Sequence, residues 1–209
     1  MMNRRESLSK IPTNIITGFL GVGKTSTILH LLKQKPKGEL WAVIVNEFGE
    51  IGIDGSLFEG KTHQQEGVFI REVPGGCMCC TAGVSMRKAI HVLLSKVNPD
   101  RLLIEPTGLG HPSEVIQTLK TQAFCDTFLI QNVITVVDAR LVSYEFYAEH
   151  SIFKEQLSIA DIVVGNKSDL YKPKDTLALH QYVETFGMSN VTIILTQQGV
   201  IDFSYLDGS

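Results

Sequence analysis

Long apolar runs are missing from these 209 residues. No stretch approaches the roughly 20 apolar residues of a membrane span, and Met1 to Pro12, with Arg4, Arg5 and Lys10, has no apolar run of signal-peptide length. The expectation is a soluble, cytoplasmic protein with no membrane partner. An excess of one charge is missing too: 19 Lys and Arg stand against 22 Asp and Glu, with no basic block of the kind that neutralises successive phosphates. Nucleic acid is therefore not an expected partner. Cysteine is scarce, and three of the 4 fall within four residues. In a reducing compartment such spacing points to metal or redox chemistry, not to a disulfide framework. Cys125 stands apart and reads as a small core hydrophobe. The 6 histidines form no run or metal-type pair, and there is no internal repeat or low-complexity tract. With 44% hydrophobic residues, the chain can bury one substantial core, that of a single domain.

The apolar residues that are present come in short, β-branched, polar-bounded runs. Asn14 to Thr17, Trp41 to Val45, Arg101 to Ile104, Val133 to Val137, Asp161 to Val164 and Asn190 to Leu195 read as strands buried on both faces, which implies parallel pairing. Val68 to Val73 reads as a further strand. Between them, residues 25–35, 83–96, 112–122, 152–160 and 175–186 carry apolar residues at helical spacing. Alternating strands and helices predict an α/β fold, a three-layer α/β/α sandwich around a mostly parallel sheet.

Gly18-Phe19-Leu20-Gly21-Val22-Gly23-Lys24-Thr25 has the phosphate-loop pattern, and it follows a predicted strand and opens a predicted helix. Glycines let backbone amides turn toward phosphates, and the helix start adds its positive dipole end. Lys24 reaches the terminal phosphates and Thr25 can ligate magnesium; Ser26 follows in the first helical turn. Asn166-Lys167-Ser168-Asp169 comes directly after a strand, the right place for base recognition. Asp169 can accept from the guanine ring N–H and exocyclic amine, Asn166 can meet the N7 side, and the Lys167 stem can cover the base. Guanine is thereby favoured over adenine. Glu105 ends a strand and can approach magnesium, while Gly108 can offer its amide to the γ-phosphate. Asn46 to Asp54 forms an acidic loop in which Glu47, Glu50 or Asp54 can approach metal or water. Lys24, Glu105, Asp54 and Glu47 are the candidate catalytic residues.

The cysteines lie in Gly75-Gly76-Cys77-Met78-Cys79-Cys80, ahead of a predicted helix whose amino end favours thiolate. Cys77, Cys79 and Cys80 suit a soft metal such as zinc, with Glu50 or His111 as candidates to complete the shell. A redox pair and a buried structural cluster are the competing readings. His111 equally suits a helix start beside Pro112.

In this order, the phosphate loop, Asn46-Glu47-Phe48-Gly49, Gly76 to Cys80, Glu105 to Leu109 and Asn166 to Asp169 resemble the CobW-type metal-handling GTPases over about residues 13 to 200. Glu105 to Pro112 looks most like the family's zinc-associated YeiR branch. The resemblance implies a P-loop GTPase domain over 13–200 carrying an inserted cysteine loop. Residues 1–12 would be an extension, and 201–209 the start of a linker to a carboxyl-terminal domain. It also implies magnesium with GTP as cofactor and zinc, cobalt or another transition metal at the cysteines. A client metalloprotein and a homodimer are the implied partners. Unaided turnover should be slow, because neither an arginine finger nor a water-positioning Gln is evident. A His-rich metal-collecting segment is not visible, and His111 stands where many relatives have Asp.

Overall fold

The computed structural model describes residues 9–45, 67–73 and 84–208. Within them the chain runs β1 (Ile11–Thr17), α1 (Lys24–Lys33), β2 (Trp41–Val45), β3 (Val68–Glu72), α2 (Val84–Lys96), β4 (Arg101–Glu105), α3 (Pro112–Leu119) and β5 (Phe128–Ile130). It continues through β6 (Ile134–Val137), α4 (Ala139–Val142), α5 (Glu145–Ala148), α6 (Ser151–Ser158), β7 (Ile162–Gly165), α7 (Pro173–Phe186) and β8 (Thr192–Leu195). The sheet order is β3-β2-β4-β1-β6-β7-β8, with β5 also paired to β1, and every pairing is parallel.

Two apolar cores explain this layering. Along β2, Trp41, Val43 and Val45 enter one core while Ala42 and Ile44 enter the other. Ile16 and Ile15 divide β1 in the same way. The first core is closed by Ile28 and Leu31 of α1, Phe153 and Leu157 of α6, and Leu179 and Val183 of α7. The second is closed by Met86, Ile90 and Leu93 of α2 with Val115 and Leu119 of α3. The period-2 alternation of strands thus meets helices on both faces, and each fully buried aliphatic side chain contributes about 1.5–3 kcal/mol of burial. That is the expected α/β/α sandwich. Val68 to Glu72 is a strand, pairing with β2 at the sheet edge.

Several boundaries differ from the sequence reading. Ile11 and Pro12, assigned to an extension, are paired with Phe128 and Leu129 of β5, a strand too short to stand out in the sequence. The helix predicted to Gln122 stops at Leu119, because Phe124 of the following turns and Phe128 at the start of β5 take the core positions beyond it. Cys125 lies in those turns and is half-buried, with Sγ facing Gln122 O, so it is not a core residue. Residues 201–208, expected to open a linker, pack against the domain. Ile201 and Leu206 are buried, Asn14 Nδ2 donates to Leu206 O at 2.6 Å, and Arg101 pairs with Asp207 at 2.6 Å. Gln34, just past α1, donates to Ile201 O at 2.7 Å.

Candidate nucleotide site at the carboxyl edge of the sheet

The central strand β1 delivers the chain into Gly18 to Gly23 and then α1, which opens on Gly23 with no side-chain cap. A helix amino end left uncapped in this way is suited to an anion. Gly23 has φ +105°, and a Cβ there would lie 2.2 Å from Asn166 Nδ2, so no side chain fits. Val22 is fully buried; Phe19 is buried edge-on against Tyr147 and His150; Leu20 and Ser26 are exposed. Lys24 is buried, and its ammonium donates to Phe19 O at 3.1 Å, lying across its own loop.

Beside this loop, the end of β4 brings Glu105 to Thr25. The Thr25 hydroxyl donates to Glu105 Oε1 at 3.0 Å. A hydroxyl and a buried carboxylate in contact form the hard-oxygen set that magnesium prefers, so the residues fit that ion. After β4 the chain passes close under the phosphate loop: a Cβ on Gly108 would lie 2.7 Å from Leu20 N, which demands glycine.

Helix α6 holds this segment in place. Buried Gln156 donates from Nε2 to Gly108 O at 3.1 Å. His111 is the N-cap residue of α3, and its Nδ1 lies 2.5 Å from Glu155 Oε2. The Ser113 hydroxyl and amide both donate to Glu155 Oε1. Burial raises the Glu155 carboxyl, but the hydrogen bonds from Ser113 and His111 outweigh it and hold it below the ordinary value of 4.5. A depressed folded-state pKa stabilises above the unfolded value, about 4.3, and the contribution is lost as pH falls through the folded one. Glu155→Gln should therefore melt below wild type at pH 7, with the gap closing as pH falls below about 4. Calorimetric melting from pH 3 to 7 checks this, and a gap that does not narrow would refute it.

The Asn-Lys-x-Asp tetrad follows β7. Asn166 is buried and held at both amide atoms: Nδ2 donates to Val22 O at 2.8 Å, and Oδ1 accepts from Gly199 N at 3.0 Å. It thereby ties the phosphate loop to the loop after β8. Lys167 takes a left-handed conformation, φ 63°, and its ammonium donates to Gly21 O at 2.7 Å. Asp169 is exposed in a single 3-10 turn, Ser168–Leu170. Sequence reasoning missed the group behind them. Buried Asp138 accepts two hydrogen bonds from the Arg140 guanidinium and lies 3.5 Å from Lys167 Nζ. Burial raises the Asp138 carboxyl, and the hydrogen bonds and charge of Arg140 overcome it and lower its pKa. Position was the available signal: Asp138 follows β6 as Glu105 ends β4, both at the carboxyl edge.

Glu47, Glu50, Asp54, Cys77, Cys79 and Cys80 lie outside the described residues. Val45 and Glu72, the ends of β2 and β3, are in register with each other, and Val45 is in register with Glu105. β2 and β3 therefore end at the edge that bears Glu105. Among the described residues, no group of three or more His, Cys, Asp or Glu side chains is placed to hold a metal ion, and no helix is long and apolar enough to cross a membrane.

A lysine-bearing loop between a parallel strand and a helix, facing a threonine–carboxylate pair and an Asn-Lys-x-Asp loop in one crevice, defines a P-loop GTPase-type nucleotide domain. The chain belongs to the CobW/HypB/UreG family, whose nucleotide-binding domain matches residues 12–191. It is 44% identical over 195 residues to the zinc chaperone YeiR of Escherichia coli (strain K12), covering 93% of this chain and 58% of that one. It is 30% identical over 233 residues to the zinc chaperone CobW of a Sinorhizobium species, covering all of this chain and 65% of that one. The solved structure of the Zn(II)-bound YjiA GTPase from E. coli superposes with a TM-score of 0.70 at 26% identity, over 95% of this chain and 61% of that one. A Zn(II)-bound YjiA triple mutant, with one glutamate and two cysteines changed to alanine, superposes at 0.69 and 25% identity, with the same coverage. The chain thus spans less than two-thirds of the length of these relatives.

Proposed function

We propose that this domain binds and hydrolyses GTP with magnesium, and that the nucleotide state sets the affinity of a zinc site at Cys77, Cys79 and Cys80. The observation that carries the reading is the Thr25–Glu105 contact, at the carboxyl edge where β2 and β3 also end. Thr25 and Glu105 would hold magnesium, which supplies charge neutralisation at the phosphates. Lys24 exchanges Phe19 O for phosphate oxygen. Asp169 reads the guanine edge, and Gly108 donates its amide to the γ-phosphate, pulling the loop held by Gln156. Asp54 or Glu47 orients the attacking water, and the cysteine segment tightens around zinc, with Glu50 or His111 completing the shell. Hydrolysis reverses the pull and releases the metal to a client protein in the cytoplasm. Arg140 and Arg101 are engaged by Asp138 and Asp207, which suits slow unaided turnover and the need for a partner or second copy.

The test is a zinc titration of the reduced protein against a competing chelator, once with magnesium and a non-hydrolysable GTP analogue and once with magnesium and GDP. The analogue should tighten zinc at least tenfold, about 1.4 kcal/mol of coupling. Equal affinities would remove the gating, and ADP competing as well as GDP would remove the guanine assignment.

A further inference from the structure

Asn166 is fixed through its carboxamide to Val22 and Gly199, and Asp169 is the tetrad's carboxylate for the guanine ring N–H and exocyclic amine. Asp169 stands on a weak foundation. Its 3-10 turn spans Ser168–Leu170, starts from a non-glycine residue in the left-handed region, and leaves Asp169 exposed. One such turn carries little stability of its own, and a left-handed non-glycine residue at its start adds backbone strain. Something outside the turn must set its direction.

Tyr171, the residue after the turn, is placed to do this. Its hydroxyl donates to Asn166 O and accepts from Ala139 N at 2.9 Å. The ring packs against the core that holds β6 and β7. The phenol therefore spans the tetrad, from the second residue after it back to its first residue, and anchors it to the β6–α4 junction. The neighbouring Asp138 adds a second tie to Lys167 from the same junction. Burial pushes the Tyr171 hydroxyl up to about 12, so it remains a donor throughout the physiological range.

We propose that Tyr171 is a positioning residue for guanine recognition, its hydroxyl joining the main chains of Asn166 and Ala139 so that Asp169 meets the base at a fixed pose. The proposal rests on the guanine reading above. Tyr171→Phe keeps the ring and removes only the hydroxyl. Dissociation constants for GDP, inosine diphosphate and ADP would be measured by calorimetry on both proteins, with melting temperatures as a check of fold. Inosine diphosphate lacks the exocyclic amine that Asp169 accepts, so it reports the pose of that carboxylate. The variant should lose about tenfold in GDP affinity, equivalent to about 1.4 kcal/mol, while inosine diphosphate loses much less and the ratio between them shrinks. In an Asp169→Ala background the same change should cost GDP nothing further. An unchanged ratio, or an equal loss in both backgrounds, overturns the positioning role. Wild-type protein that does not prefer GDP to ADP overturns the guanine reading itself.

Discussion

Lys24→Ala is expected to weaken GDP and GTP binding by at least a hundredfold while leaving the domain folded. Lys24 is buried, and its ammonium's hydrogen bond to Phe19 O keeps it across its own loop until an anion takes that place. A phosphate oxygen is the stronger acceptor, because it carries negative charge that attracts the ammonium, whereas the Phe19 carbonyl offers only a dipole. A hundredfold loss corresponds to about 2.7 kcal/mol, within reach of one such contact together with its long-range Coulomb attraction. The cost to the fold is smaller, because Ile28 and Leu31 hold α1 to the sheet without Lys24. Titration calorimetry with GDP and a melting curve separate the two effects. Affinity within threefold of wild type would mean that the loop does not bind phosphate through this lysine.

Replacing Cys77, Cys79 and Cys80 together by serine should lower zinc affinity by a hundredfold or more and leave GDP binding unchanged. Thiolates are soft donors that ionise near neutral pH, whereas a serine hydroxyl stays protonated and binds zinc weakly. The readout must be affinity against a chelator and not the mere presence of metal, since a YjiA mutant lacking two cysteines and a glutamate was itself crystallised with Zn(II). Zinc held as tightly as in wild type would place the metal elsewhere. A parallel loss of GDP binding would make the cysteines part of the nucleotide site.

The sheet was legible in the sequence because its strands are unusually plain. Trp41 to Val45, Ile134 to Val137 and Ile162 to Gly165 are buried at every position, and so short a run of apolar, β-branched residues suits a strand covered on both faces better than a helix. The phosphate loop was legible because its glycines and lysine have fixed spacing. Phe128 to Ile130 was not, since three residues give no period to read. Neither was the brace behind the base loop. Asp138, Arg140 and Tyr171 are ordinary residues in sequence, and only the fold brings Tyr171 back onto Asn166 and Ala139. Gln156 was hidden for the same reason, because its partner Gly108 belongs to a loop 48 positions earlier.

The place of β1 at the middle of the sheet has a consequence for synthesis. This strand and the phosphate loop leave the ribosome well before the strands that flank it, β4 and β6. Val22 gains its hydrogen bond from Asn166 across 144 positions of chain. Parallel pairing across such distances is slow, because the entropy of closing the intervening loops is lost before the contacts form. The nascent chain therefore carries its phosphate-loop residues unshaped until β7 has emerged, and a nucleotide bound there can assist only the last stage of its folding.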